Sequence, residues 1–194
     1  MSAPTTALQT DASHLATLVF ASAPTLLLDL LAAPSNSAAL DFLRFSLSQP
    51  DGQYGYANHR VLRDQGVPIA SFCLWHDQLP QNFDQSTLRI MHQHFGLQHC
   101  IEIVQRNQLL SEHLQPPQPH QVAVGHISVA PAFQRRGNVG HILEYAQQQT
   151  RLLGKEMVVV DVEVSNESAI RCYQKYGFLN DSVGHQFVRL CKTV

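Results

Sequence analysis

Residues 121–178 read as strand, helix, strand and short helix in close succession, and this order restricts the fold more than any other feature of the chain. Val122 to Val129 alternates and is rich in β-branched residues, and Pro131 closes it. Val139, Ile142, Leu143, Ala146, Thr150 and Leu153 then fall on one helical face, with Gly154 in the stop position. Met157 to Val164 is a near-continuous apolar strand broken by Asp161 and Glu163. Ala169, Cys172, Tyr173 and Tyr176 mark a short helix that Gly177 terminates, and Phe178 onward predicts a closing hairpin with His185 to Lys192 as its long arm.

The N-terminal half is more helical. Thr5 to Thr10 predicts a short first strand, and Asp11 is placed to cap a helix carrying Leu15, Leu18, Val19 and Ala23. A second apolar run, Leu26 to Ala33, stops near Pro34; Ser35 or Ser37 caps the next helix, with Leu40, Leu43, Phe45 and Leu47 as core positions. Val61 to Trp75 predicts two strands joined at Asp64-Gln65-Gly66, with Gly66 at positive φ. Helical spacing returns at Leu88, Met91, His92 and Phe95, and at Ile101, Val104, Leu109 and Leu114, before Pro116 to Pro119 forms a connector. The 194 residues suit one domain, which buries roughly 70% of its unfolded surface without staples.

Thirteen basic and fifteen acidic residues give a net charge of −2, so no whole-chain field holds nucleic acid or an anionic membrane, and neither partner is expected. Between His14 and Ala33, Pro24 and Asp29 interrupt the one apolar stretch, and no Lys or Arg precedes Arg44; neither a membrane span nor a signal peptide is expected there. Cys73, Cys100, Cys172 and Cys191 are widely spaced, consistent with reduced thiols in a cytoplasm. Among eleven histidines, the run His92-Gln93-His94 with His99 and Cys100 invites a metal reading, but i, i+2 spacing on a helix splits the two histidines, and no metal is expected.

The chemistry concentrates in Val129-Ala130-Pro131-Ala132-Phe133-Gln134-Arg135-Arg136-Gly137-Asn138-Val139-Gly140, between a strand and a helix. The first N–H groups of a helix lack intrahelical partners and the macrodipole there is positive, so a phosphate or pyrophosphate can be held by backbone alone. Gly137 allows close approach, and Arg135 and Arg136 add phosphate-matched donors. A GxxxxGK[ST] loop is absent, and no third glycine follows at 143 to complete GxGxxG, so a nucleotide hydrolase or dinucleotide oxidoreductase is poorly supported. The alternative is a solvated helix start.

A second segment lies about thirty residues downstream: Asn166-Glu167-Ser168-Ala169-Ile170-Arg171-Cys172-Tyr173-Gln174-Lys175-Tyr176-Gly177-Phe178. Together the two resemble the acetyl-CoA signature of the GNAT superfamily of N-acetyltransferases, V-x-P-x-x-[Q/R]-x-x-G-x-[G/A] followed by N-x-x-A-x-x-x-Y-x-x-x-G-F. Val129, Pro131, Gln134 and Gly137 match the first; Asn166, Ala169, Tyr173, Gly177 and Phe178 match the second. Val139 stands where the family usually has a second Gly or Ala, with Gly140 one place later. The resemblance covers 121–190, and Val61 to Trp75 looks like the family's earlier hairpin.

The resemblance implies an α/β (α+β) GNAT fold: a mixed central sheet with splayed parallel strands, here Val122 to Val129 and Met157 to Val164, flanked by helices. It implies one N-acetyltransferase domain over 1–194, with the acetyl-CoA core in 121–190 and a helical insertion and connector in 81–119. It places pantetheine against Ile127 and Val129, pyrophosphate over Gln134, Arg135, Arg136, Gly137, Asn138, Val139 and Gly140, and further cofactor contacts at Asn166, Ala169 and Tyr173. Tyr173 matches the family's proton donor to the departing thiolate; its alternative is a core tyrosine. The base is open among Asp161, Glu163, His126 and a water chain, each side chain having a structural alternative as an exposed group or ion-pair partner.

Residues 1–88 carry a net charge of −4 and 89–194 a net of +2, consistent with an acidic acceptor half facing a cationic amine. Asp51 to His59, with Tyr54, Tyr56 and His59, lines the acceptor mouth or forms an ordinary aromatic loop. The leading expectation is acetyl transfer from acetyl-CoA to a primary amine of a small molecule, peptide or protein, with a homodimer allowed. The competing one is a non-catalytic acyl-CoA-binding module.

Overall fold

The computed structural model describes residues 3–194. Its strands are β1 (Thr5–Thr6), β2 (His59–Asp64), β3 (Val67–Trp75), β4 (Gln121–Val129), β5 (Met157–Glu163), β6 (Leu179–Val183) and β7 (Phe187–Thr193). They form a seven-stranded sheet in the order β1-β2-β3-β4-β5-β7-β6. Only β4 and β5 run parallel; every other neighbouring pair is antiparallel. The helices are α1 (Ala12–Ser22), α2 (Pro24–Leu30), α3 (Asn36–Leu47), α4 (Phe83–Phe95), α5 (Leu97–Ser111), α6 (Asn138–Leu152) and α7 (Glu167–Lys175).

Strand alternation divides the core between the two faces of the sheet. On one face Val61 joins Leu15 and Val19 of α1, Phe42 and Leu43 of α3, and Ile90 and Ile103 of α4 and α5. On the other, Phe72, Val124, Val160 and Leu190 pack against Ile142, Leu143 and Ala146 of α6 and against Tyr173 and Phe178. The β2–β3 turn is the predicted one, with Gln65 and Gly66 both at positive φ (47° and 84°), the primed geometry that matches strand twist. Ser35 caps α3 by accepting the Ala38 N–H at 3.2 Å.

Local expectations failed where a long-range partner competed. β1 stops at Thr6, and the chain turns through a 3-10 segment, Gln9–Asp11, because the Asp11 carboxylate accepts the Leu8 N–H at 2.7 Å. Asp11 therefore does not cap α1 with its side chain; it is held by Arg63 of β2 at 2.6 and 2.9 Å. The apolar face of α5 is also rotated from the one expected: Cys100 and Ile103 are buried, whereas Ile101, Val104 and Leu109 are exposed. Leu88 is exposed and Ile90 takes the core position; Phe42, not Phe45, is the fully buried aromatic of α3.

Burial of Asp11 acts to raise its pKa, but the Arg63 and Leu8 hydrogen bonds and the Arg63 charge outweigh it and leave the carboxyl below its ordinary 3.8. The stabilisation is therefore present above about pH 4 and lost as the pH falls through the lowered folded value. Asp11→Asn is expected to cost about 2 kcal/mol at pH 7. Urea unfolding from pH 7 to 2.5 should show wild type and variant converging in acid; a constant gap across that range would contradict the pairing.

Candidate active site

β4 and β5 part company within three residues. Gln121, Val122 and Ala123 pair with Met157, Val158 and Val159, and there the ladder ends. β4 continues to Val129 paired only with β3, and β5 continues to Glu163 paired only with β7. The facing edges from Val124 and from Val160 thus present unpaired backbone groups along a wedge-shaped gap, the kind of edge an extended amide chain can join.

β4 also carries a bulge within that stretch. Ser71 opposes Ser128 and Cys73 opposes Gly125, so Phe72 faces two residues, His126 and Ile127. His126 takes up the irregularity with φ 50°, an uncommon conformation for a side-chain-bearing residue and one concentrated at functional sites. Gly125 beside it has a specific reason to be glycine: a Cβ there would lie 1.9 Å from the ring of Trp75. Trp75 meets the His126 ring edge-on at 5.1 Å.

At the end of β4, Pro131–Phe133 makes a 3-10 turn, Arg135 and Gly137 adopt positive φ (60° and 84°), and α6 begins at Asn138. Gln134 donates its side-chain N–H to the Val129 carbonyl at 3.0 Å, and buried Asn138 donates to the Phe133 carbonyl at 2.7 Å, bracing the turn from both sides. No acceptor among the described residues takes the backbone N–H groups from Arg135 to Gly140. They form a concave run of donors at the positive end of α6. Arg135 and Arg136 are exposed beside it, the latter over the Phe133 ring at 5.3 Å. Gly140 is a helix residue in the first turn of α6, where a Cβ would lie 2.8 Å from the Tyr176 ring. Gly140 thus lets α6 and the end of α7 approach closely, while Val139 in the preceding position packs on the core.

Tyr173 of α7 packs in the same cluster as Val129, Val160 and Val162, with its ring 6.1 Å from that of Phe178. It is 8% exposed, and its hydroxyl has no hydrogen-bond partner among the described residues yet is not sealed from solvent. Burial, with a smaller contribution from Cys172, pushes its pKa well above the ordinary tyrosine value. Asn166 caps α7 by accepting the Ala169 N–H at 3.1 Å, which is its structural role, and Ala169 sits half-buried one turn before Tyr173.

The three base candidates separate. Asp161 is held by Arg189, which donates to both carboxylate oxygens at 2.8 and 2.7 Å. Glu163, half-buried at the end of β5, has no such partner among the described residues. His126 stacks on Tyr54 at 5.4 Å and bonds through Nδ1 to Nε2 of His59 at 3.3 Å. Tyr54 and His59 are fully buried, so they back the His126 ring from inside the protein; they do not line an open mouth. Residue spacing carries no sign of this cluster; the one signal that could have found the bulge is Gly125 inside a β-branched strand.

A sequence-family model described as the acetyltransferase (GNAT) family matches residues 33–178. The chain belongs to that family. No protein of curated function matches this GNAT chain by sequence. Its fold is similar to that of an N-acetyltransferase from Staphylococcus aureus Mu50 (16% identity, TM-score 0.74, 98% of this chain against 100% of that one). It is also similar to a second acetyltransferase structure (19% identity, TM-score 0.65, 100% of both chains). A third, yncA from Salmonella typhimurium, is described with its cofactor acetyl-CoA (13% identity, TM-score 0.50, 99% against 94%). The mixed sheet flanked by helices is the GNAT fold, and acyl transfer is the chemistry of the family. No single helix among the described residues is long and apolar enough to cross a membrane; α1, with the turn before it, and α2 meet at 99°.

Proposed function

We propose that this GNAT protein transfers acetyl from acetyl-CoA to a primary amine by direct attack within a ternary complex. The observation that carries the reading is the continuity of the β4–β5 gap with the run of unpartnered amides from Arg135 to Gly140. That surface fits a pantetheine chain ending in a diphosphate: edge amides and carbonyls for the arm, helix N–H groups and two arginines for the anion. Acetyl-CoA supplies the thioester carbonyl that the amine attacks.

The chain's own groups then have distinct tasks. His126 takes the proton from the attacking nitrogen, and Tyr173 donates its phenolic proton to the departing sulfur, so N–H, C–S and Tyr173 O–H bonds break as C–N, S–H and His126 N–H bonds form; proton exchange with solvent then returns His126 to neutral and Tyr173 to the phenol. A raised pKa keeps Tyr173 protonated and able to donate. Burial, and then the charge His59 would carry if protonated, hold the His126 pKa down to about 3, so the imidazole is neutral with a lone pair available; as a weak base it takes the proton only once the forming C–N bond has made the nitrogen acidic. Glu163 provides negative charge toward a cationic acceptor, whereas the Asp161 carboxylate is committed to Arg189.

Calorimetric titration with CoA and thiol release from acetyl-CoA across an amine panel test this reading together. Arg135→Ala/Arg136→Ala is expected to weaken CoA about 10-fold or more, with the loss shrinking at high salt. Absence of CoA binding would sink the proposal; binding without turnover on any amine would favour a non-catalytic acyl-CoA module.

A further inference from the structure

We propose that His59 is a positioning residue that fixes His126 as the Nδ1–H tautomer, leaving the His126 Nε2 lone pair bare to accept the amine proton; the inference rests on the amine-acetylation reading above. The argument is one of donors and acceptors. His59 Nδ1 lies 3.0 Å from the Gly55 carbonyl oxygen, which can only accept, so Nδ1 of His59 carries the proton. A neutral His59 then has a lone pair at Nε2. That atom is 3.3 Å from His126 Nδ1, which must be the donor. His126 is left with its lone pair on Nε2, which has no partner among the described residues and is not sealed from solvent.

Both rings are neutral at physiological pH, since burial first of all lowers His59 to about 4 and His126 to about 3. Three neighbouring strands build the pair: His59 of β2 opposes Cys73 of β3, and Cys73 opposes Gly125 beside the bulge in β4. Tyr54 stacked at 17° and Trp75 edge-on at 85° hold the plane of His126. The bulge turns the residue, and His59 decides which nitrogen carries the proton.

A metal is the competing use of these atoms, because His59, Cys73 and His126 place ligand atoms within 4.8 Å of one another. Ring geometry favours the hydrogen bond. The two imidazoles are 9° from parallel with centroids 5.5 Å apart, while the nitrogens are 3.3 Å apart. The difference is about two ring radii, so the N···N line runs through both rings and the nitrogens point head-on at each other. Metal ligands must instead aim at a common third point.

Nitrogen-15 NMR of the histidine-labelled protein, with His126→Gln for assignment, reads the tautomer directly. The expected result is a pyridine-type Nε2 and a pyrrole-type Nδ1 at His126, the reverse of what a free imidazole prefers; the opposite pattern, or loss of the Nδ1 proton on adding zinc, overturns the inference. His59→Phe removes the acceptor and is expected to lower kcat about 100-fold with the acetyl-CoA KM unchanged. His59→Gln, whose amide oxygen can accept the same proton, should restore kcat to within a few-fold of wild type. A folded His59→Phe enzyme with wild-type kcat, or a His59→Gln enzyme as slow as His59→Phe, also overturns it. If His59→Phe does not fold, the wild-type spectrum still decides. Wild-type protein with the inferred tautomer but no amine turnover would sink the proposed reaction and leave the tautomer assignment standing.

Discussion

Tyr173→Phe is expected to lower kcat by about 100- to 1,000-fold while CoA affinity falls by about a few-fold at most. The variant removes one oxygen and nothing else. The ring keeps its packing against Phe178 and the Val129, Val160 and Val162 cluster. Because the hydroxyl has no partner among the described residues, no intramolecular hydrogen bond is lost, and the melting temperature should stay within a degree or two of wild type. What disappears, on the proposed mechanism, is the proton for the departing sulfur. Burial raises the pKa of this phenol, so it remains protonated across physiological pH, and any alkaline loss of kcat attributable to it should begin above 10, the ordinary tyrosine value. Thiol release measured under saturating acetyl-CoA checks the first expectation and a pH series to 10.5 the second. Unchanged kcat in Tyr173→Phe would make the residue a core tyrosine, the alternative its apolar helical face always allowed.

The parts of this site that were legible in sequence are those whose causes are local. Strand β4, the turn proposed to hold the diphosphate and the capped helix α7 are each written in fewer than twenty consecutive residues, through β-branching, a glycine able to reach positive φ and an asparagine cap. Residues 67 apart in sequence meet in the His59–His126 hydrogen bond, and no periodicity anticipates it. The extent of the β4–β5 ladder is equally invisible, since Val122 to Val129 reads as a strand whether or not it is paired along its whole length. Gly140 illustrates a third limit. By resemblance it is the family's second loop glycine displaced by one place, but its reason is the Tyr176 ring, a tertiary neighbour at the end of a different helix. The phase of α5 is not legible in its sequence because apolar residues surround the helix: Cys100 and Ile103 face inward while Leu97, Ile101 and Val104 face out.

Asp161 shows how a charge within an apolar strand is decided by its partner. Asp161 and Arg189 occupy directly opposed positions on β5 and β7. Arg189 uses Nε and Nη2 on both carboxylate oxygens, and Nη2 also donates to the Gln115 carbonyl, tying the connector before β4 to the sheet. The Arg189 side chain is only 10% exposed, so removing Asp161 leaves a poorly hydrated cation with only the Gln115 carbonyl and the charge of Asp181 to compensate it. Asp161→Ala is therefore expected to cost about 3–5 kcal/mol of folding stability, several times the loss from an exposed pair. For a chain of this size that corresponds to a fall of roughly 10 °C or more in Tm. The double variant Asp161→Leu/Arg189→Met should recover most of the loss, because no buried charge remains to be compensated. Calorimetry and denaturant unfolding measure both effects, and kcat per folded molecule in the single variant should stay within a few-fold of wild type. Wild-type stability combined with a collapse in kcat would instead make Asp161 the proton acceptor and displace His126 from that role.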